Sequence, residues 1–464
     1  MPLAPASPPL FNAADIQAID RAWAAAHPDT PLMPRAGAAT AELAAALAAD
    51  TGEPVLLLAG PGNNGGDAVV AARLLRTQGF RVVLVSRADP ARLPPDAARA
   101  WTGWLQDGGT VLPDIPGTQR FGLVVDGLFG VGLERNIEGE LARWIAAVNA
   151  MDCPTLALDA PSGLDADTGT VRGCAVRADH TLTFLGLKPG LLTADGPDHA
   201  GTLHLDTLGV DTLPATPGIA LTQLERRHRL PPRLKNSHKG SFGHVGVIGG
   251  APGMVGACLI AGRAALAQGA GMVTVGTLDE RLVVDYGEPR LMLATPESLA
   301  ATPPGVLVIG PGLAQTTRAH ALLSAALDAP GPLLLDADAL NLLAIDAELA
   351  GHVAHRTAPT LLTPHPGEAA RLLGTSVAAI QESRIEAALR LSTQYRAHIA
   401  LKGVGTVITH PDGRYAINTT GGPWLAQAGS GDRLAGMAAA LIAQGLAAGD
   451  ALETAVWLHG QPGG

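Results

Sequence analysis

The sequence predicts an α/β protein built as two domains, each a mainly parallel sheet with helices on both faces. Three observations carry this. Short runs of Val, Leu and Ile alternate with Ala-rich helical stretches along the whole chain, the pattern of strands buried on both faces. Glycine-rich loops follow many of those runs. A segment with two proline clusters and a basic run interrupts the rhythm near the middle, and 464 residues suffice for two domains or more at roughly 100–200 residues each.

In the first half EPVLLLAG (53–60) is a strand, DAVVAARLLRTQG (67–79) a helix and FRVVLVS (80–86) the next strand. Two further strands end at acidic residues, in LVVDGLFGVG (123–132) and LALDAPSG (156–163). In the second half GHVGVIGG (243–250), GVLVIGPG (305–312), PLLLDADAL (332–340) and APTLLTPHPGE (358–368) each read as a strand running into a loop or helix start. The prolines and basic residues of 208–239 place a linker over 216–239, between domains 1–215 and 240–464.

The chain holds 57 Gly and 36 Pro, about a fifth of its residues against an average near ~12 %, which suits turns and ligand loops. Formal charge is −10 and only 15 residues are aromatic, so a phosphodiester backbone finds neither a basic face nor stacking rings, and no nucleic-acid partner is expected. Three scattered cysteines without C-x-x-C spacing suit reducing cytoplasm rather than a disulfide framework or a zinc site. The N-terminus lacks the basic and apolar regions of a signal peptide. The longest uncharged stretch, 245–262, holds six Gly and one Pro and reads as strand, loop and buried helix, so no membrane partner is expected either.

The sharpest local signal is GPGNNGGDAVVAARLL (60–75). Backbone N–H groups of such a loop can approach a phosphate, and Asp67 stands at the N-cap or first turn of the following helix. Asp126 and Asp159 each end an apolar run, and loops at carboxyl strand ends of open α/β sheets form the ligand crevice. Three such loops with Asn and Ser nearby offer oxygen ligands to a hard cation. Near the C-terminus Gly429, Ser430 and Gly431 lead into Asp432 and an Ala-rich helix. This arrangement offers free N–H groups to an anion and a carboxylate to a hydroxyl proton. DADALN (336–341), TPHPGE (363–368) and KGVGT (402–406) each follow an apolar run, with His365 held between two prolines.

GNNGGDA (62–68), DGLFGVG (126–132) and LDAPSGLDADTG (158–169) together resemble the NAD(P)HX epimerase, or YjeF N-terminal, domain. The resemblance implies a Rossmann-like crevice that binds K+ and the hydrated nicotinamide nucleotide. Asn64, Asp126 and Ser162 would ligate K+. Asn63, Asn64, Gly65, Gly66 and Asp67, with Gly130, Val131, Gly132, Leu133, Glu134, Arg135 and Asn136, would line the nucleotide site, and Asp159 would bind substrate as the acid/base. The second-half loops, with HKGSFGHVGVIGG (238–250) and GPGL (310–313), resemble the ADP/ATP-dependent NAD(P)HX dehydratase of the ribokinase-like superfamily. There Asp432 would be the catalytic base. Lys402, Gly403, Val404, Gly405, Thr406 and Gly431 would bind the adenine nucleotide, and Ala257, Gly312, His365 and Asp432 the hydrate.

The activity implied is repair of NADHX and NADPHX by R/S epimerisation and by dehydration of the S form with Mg2+ and ADP or ATP, in a homo-oligomer. Two rival readings are a ribokinase-superfamily kinase acting on a small molecule and a nucleotide-binding protein without turnover.

Overall fold

The computed structural model describes residues 7–117, 119–133, 135–210 and 213–462. The chain divides into compact units Met1–Thr216 and Pro217–Gly464.

The first unit carries strands β1 (Val55–Ala59), β2 (Val82–Val85), β3 (Leu123–Gly127), β4 (Thr155–Leu158), β5 (His180–Phe184) and β6 (Thr202–Asp206). They form one sheet in the order β2-β1-β3-β4-β5-β6, and every pairing is parallel. β1 is buried on both sides. Val55, Leu57 and Ala59 enter one core with helices Ala13–Ala26, Met33–Ala48, Asn63–Thr77 and Pro95–Gln106, while Leu56 and Leu58 enter another with Gly139–Asn149. At about 1.5–3 kcal/mol for each large apolar side chain buried, such a strand stabilises both layers and reads as an uninterrupted apolar run for that reason. The three-layer αβα architecture expected of this half is present.

The second unit carries β7 (Gly218–Leu221), β8 (His244–Gly249), β9 (Met272–Thr277), β10 (Met292–Ala294), β11 (Val306–Ile309), β12 (Leu333–Leu335), β13 (Thr360–Leu362), β14 (His398–Leu401), β15 (Val407–Thr409) and β16 (Tyr415–Asn418). Their order is β10-β9-β8-β11-β12-β13-β14-β15-β16-β7. Both pairings of β15 are antiparallel, unlike the rest of the sheet. The reason is connection length. Residues 402–406 and 410–414 are hairpin-sized links, whereas a parallel return needs a crossover of a dozen residues or more. Helices cover both faces here as well.

Where the prolines suggest a linker over 216–239, the structure places β7, parallel to β16, with Gly218 opposite Tyr415. The residues after β7 are fixed too. Glu453, on helix Ala448–His459, accepts from Arg227 at 2.5 Å, His228 Nε2 at 2.8 Å and His410 Nε2 at 2.8 Å. Burial opposes its charge, yet the hydrogen bonds from His228 and His410 and the Arg227 charge hold Glu453 well below the usual carboxylate range. His228, Asp450 and Glu453 have the spacing of a metal-binding group, but Arg227 bridges both carboxylates and already supplies the cation.

Candidate functional sites

In an open α/β sheet the ligand crevice lies where the strand order reverses, outside the carboxyl ends of the two strands flanking that point. In the first sheet these are β1 and β3, which lead into 60–64 and 128–135. The two loops touch. A Cβ on Gly60 would lie 1.7 Å from Leu128 O, and one on Gly65 would lie 2.1 Å from Gly60 O, so only glycine permits the approach. Helix Asn63–Thr77 begins earlier than the loop reading suggests, with Gly62 as N-cap. The NNGG residues therefore form the helix's first turn, and Asp67 follows them inside the helix. Four residues that lack bulky apolar side chains obscured the helical period.

A cavity of about 750 Å³ opens at this point. Of the residues singled out from the sequence, Asn63, Asn64, Asp67, Gly130, Val131, Gly132, Leu133, Arg135 and Asp159 line it. Gly65 and Gly66 do not: both are buried, Gly66 against Met33. Asn136 packs beside Gly173 instead. Glu134 lies outside the described residues.

Asp159 follows β4 with φ 65°, a left-handed conformation that costs a non-glycine residue on the order of 1 kcal/mol or more. Its carboxylate accepts from Phe184 N at 3.2 Å and pairs with the Lys188 ammonium, whose side chain is fully buried. Lys188 also donates to Thr183 Oγ1 at 2.9 Å and Phe184 O at 2.7 Å. Burial pulls the Lys188 pKa down against the opposing pull of Asp159. Asp67 is pushed well above the usual carboxylate range by burial, then by the Asp159 and Asp20 charges. Lys188 and Asp20 were not read from the sequence, because FLGLKPG looks like a surface turn and IDRAW like a solvated helix face.

Beneath the cavity Asp126 is fully buried. It accepts from Ser162 Oγ at 2.6 Å, Ser162 N at 2.8 Å and Leu128 N at 3.2 Å. Burial raises its pKa against these donors. Ser162 Oγ also receives Phe129 N at 2.9 Å. Asn64 is the odd member, since neither Oδ1 nor Nδ2 has a hydrogen-bond partner although both atoms are buried. A buried amide left unpaired costs about 1–3 kcal/mol. A carboxylate, an amide oxygen and a hydroxyl in one region suit a hard cation.

In the second sheet the order reverses between β8 and β11. Gly312, φ 60°, follows β11, and a Cβ there would lie 3.3 Å from Ala257 Cβ, so these two predicted residues are neighbours. Helix Ser430–Ala443 starts from Gly429, whose φ of 85° suits glycine, and Asp432 sits in its first turn. Lys402, next after β14, reaches this helix start, with Nζ 3.0 Å from where a Gly431 Cβ would stand. Its ammonium lies 2.9 Å from Asp336 Oδ1 and 3.9 Å from Glu368 Oε2. Burial and then the Asp336 charge raise the Asp432 pKa to about 6, with Lys402 opposing. Burial likewise raises Glu368, to about 7.

His365 is a helix N-cap as well as a loop residue. Its Nδ1 accepts from Gly367 N at 2.9 Å and Glu368 N at 3.3 Å, which fixes the ring and sets Nε2 3.3 Å from Glu368 Oε1. Burial, then Lys402, lowers its pKa, favouring the neutral ring. Gly403 bears φ 142°, and Gly405 and Thr406 complete the hairpin turn around the exposed Val404. Asp336, Thr363, Glu368 and His459 were not singled out from the sequence. Their roles depend on contacts dozens of residues away, such as Lys402 to Asp336 and Ser430 Oγ to His459 Nε2 at 3.3 Å.

Fold and sites define the class: an α/β enzyme with a candidate site at the switch point of each sheet, a cavity in the first and, in the second, a carboxylate and an ammonium at a helix N-terminus. Residues 29–190 match the family described as YjeF-related protein N-terminus, and residues 245–464 the family described as NAD(P)H-hydrate dehydratase. The bifunctional NAD(P)H-hydrate repair enzyme Nnr of Escherichia coli K12 is 40 % identical over 415 residues, covering 87 % of this chain and 79 % of that one. The Moorella thermoacetica enzyme of the same name is 38 % identical, covering 88 % and 82 %. Among solved structures, the ADP/ATP-dependent NAD(P)H-hydrate dehydratase of Bacillus subtilis, co-crystallised with ATP/Mg2+, is 34 % identical with a TM-score of 0.45, covering 50 % of this chain and 84 % of that one. The chain belongs to the family of bifunctional NAD(P)H-hydrate repair enzymes, which joins an epimerase domain to an ADP/ATP-dependent dehydratase domain. No described helix is long and apolar enough to cross a membrane.

Proposed function

We propose that the first unit interconverts the R and S hydrates of NADH and NADPH, and that the second converts the S form back to the reduced nucleotide with ADP or ATP. One observation carries the second half of this reading: a carboxylate with proton affinity raised to about 6 stands beside an ammonium on the first turn of a helix. Positive ends of this kind stabilise a moving phosphoryl group, and the carboxylate is positioned to take a hydroxyl proton. Asp432 removes the C6 hydroxyl proton of the S hydrate, and that oxygen attacks the terminal phosphorus of the nucleotide, displacing AMP from ADP or ADP from ATP. The ring-nitrogen lone pair then expels phosphate from C6, and loss of a C5 proton restores the dihydronicotinamide. Mg2+ bound with the nucleotide would offset the charge on the transferring phosphoryl group. Lys402, the 403–406 turn and the Gly431 amide hold its phosphates, while Ala257, Gly312 and His365 face the hydrate.

The test is the product made from pure S hydrate with Mg2+ and ADP. The reading expects one phosphate and one AMP per reduced nicotinamide recovered. A stable phosphorylated product would instead identify a small-molecule kinase, and tight nucleotide binding without turnover would identify a binding protein.

In the first unit Asp159, held by Lys188, moves the proton at the C6 carbinolamine, with Asn63, Asp67, Gly130 to Leu133 and Arg135 around the nucleotide. K+ fits the buried oxygen set of Asn64, Asp126 and Ser162, since it would satisfy the amide oxygen of Asn64 that lacks a protein partner. When bound it would supply positive charge beside the phosphate loop. Asn64→Leu keeps the volume and removes that ligand. We expect KCl, but not NaCl, to raise the melting temperature of the wild-type protein and to stimulate epimerisation, and both effects to vanish in N64L. An undiminished KCl response in the variant would remove Asn64 from the ligand set.

A further inference from the structure

Resting on the dehydratase reading, we propose that Asp336 is a positioning residue: it anchors the Lys402 ammonium over the Gly431 turn and so keeps it from collapsing onto Asp432.

Asp336 follows β12 directly and is 1 % exposed. Its backbone is locked. A Cβ on Gly310 would lie 1.8 Å from the Asp336 carbonyl oxygen, and the next residue, Ala337, turns the chain with φ 48°. Its carboxylate is oriented as firmly, since Oδ1 accepts from Thr363 Oγ1 at 2.8 Å and from Lys402 Nζ at 2.9 Å. The other oxygen, Oδ2, points towards the helix start, 3.8 Å from where a Gly431 Cβ would stand.

Lysine carries its charge on a flexible four-carbon stem and goes where the field takes it. Three carboxylates, Asp336, Glu368 and Asp432, act on this one; His365 and Arg371 lie by Glu368, His459 feels the Lys402 charge, and Cys258 feels that of Asp432. Unanchored, the ammonium is left to Glu368 and Asp432, and a base tied into an ion pair accepts a proton less readily. Anchored, it stays on the phosphate side and leaves Asp432 to the hydroxyl. The Asp336 charge also raises the proton affinity of Asp432, so anchoring and tuning act in the same sense.

Asp336→Asn keeps the shape and removes the charge. The expected result is a fall in dehydratase kcat of about 10- to 100-fold, the size usual when a group that orients another is lost. The KM for the S hydrate should stay within about twofold. The acid limb of the kcat profile should move to lower pH, and epimerisation by the same polypeptide should be unchanged, which reports that the chain is intact. Asp336→Glu retains the charge and should return the acid limb to its wild-type position while recovering part of kcat. A wild-type kcat and limb in D336N would overturn the proposal, as would a lost kcat with an unmoved limb. Should D336N fail to fold, Thr363→Val, which removes one of the two donors orienting Asp336, is expected to lower kcat several-fold, and a wild-type kcat there would overturn it equally. Failure of the underlying reading is distinguishable, because wild-type protein would then not dehydrate the S hydrate at all.

Discussion

Asp432→Asn abolishes nucleotide-dependent dehydration and leaves R/S exchange at its wild-type rate. The amide is isosteric with the carboxylate but cannot take the C6 hydroxyl proton, and a positioned base contributes typically ~10²–10⁴-fold to rate. Asp432 sits in the first turn of helix Ser430–Ala443 with only side-chain chemistry at stake, so the variant folds. The sign of the pH dependence follows from the raised proton affinity. The base works when deprotonated, its pKa lies at about 6, and the wild-type dehydratase rate therefore falls as pH drops through that value. In D432N that limb disappears with the activity. Loss of both activities in D432N would refute the division of labour between the units.

Asp159→Ala reduces epimerisation to the spontaneous rate, measured as conversion of pure R hydrate to S without added nucleotide. The effect is large because two things are lost together. The acid/base group goes, and Lys188 remains in a fully buried position without its partner, where breaking a buried pair costs about 3–5 kcal/mol. Lower thermal stability of the variant should accompany the lost rate, while dehydration of the S form persists. An unchanged enzymatic rate would remove Asp159 from the chemistry.

Much of this was legible in the sequence, and what was missed has identifiable causes. The central strands β1, β3, β4, β8, β11, β12 and β13 read directly, because a strand covered on both faces is an apolar run, as β1 and β11 are. The ligand loop after β1 read because close backbone approach requires Gly60 and Gly65 there, which composition registers even without coordinates. The strand β7 did not read. Four residues after a proline cluster have too little period to stand out, and their pairing partner β16 lies about two hundred residues on. Lys188 and Asp336 were missed for a related reason. Each is an ordinary charged residue, Lys188 in the turn after β5 and Asp336 directly after β12, and only tertiary packing buries one at 0 % and the other at 1 % exposure and joins them to Asp159 and Lys402. Sequence proposes loops; burial selects which of their charged residues are held in place.

The central claim is that one chain closes a repair cycle, with each unit supplying what the other lacks. An equilibrated mixture of R and S hydrate, given wild-type protein with K+, Mg2+ and ADP and followed at the dihydronicotinamide absorbance, tests it most directly. The account predicts recovery of all the hydrate as reduced nucleotide in a single enzymatic phase, with D159A stopping near the S share and then creeping at the spontaneous rate. Wild-type protein that halts at the S share, or that recovers no reduced nucleotide, would contradict it.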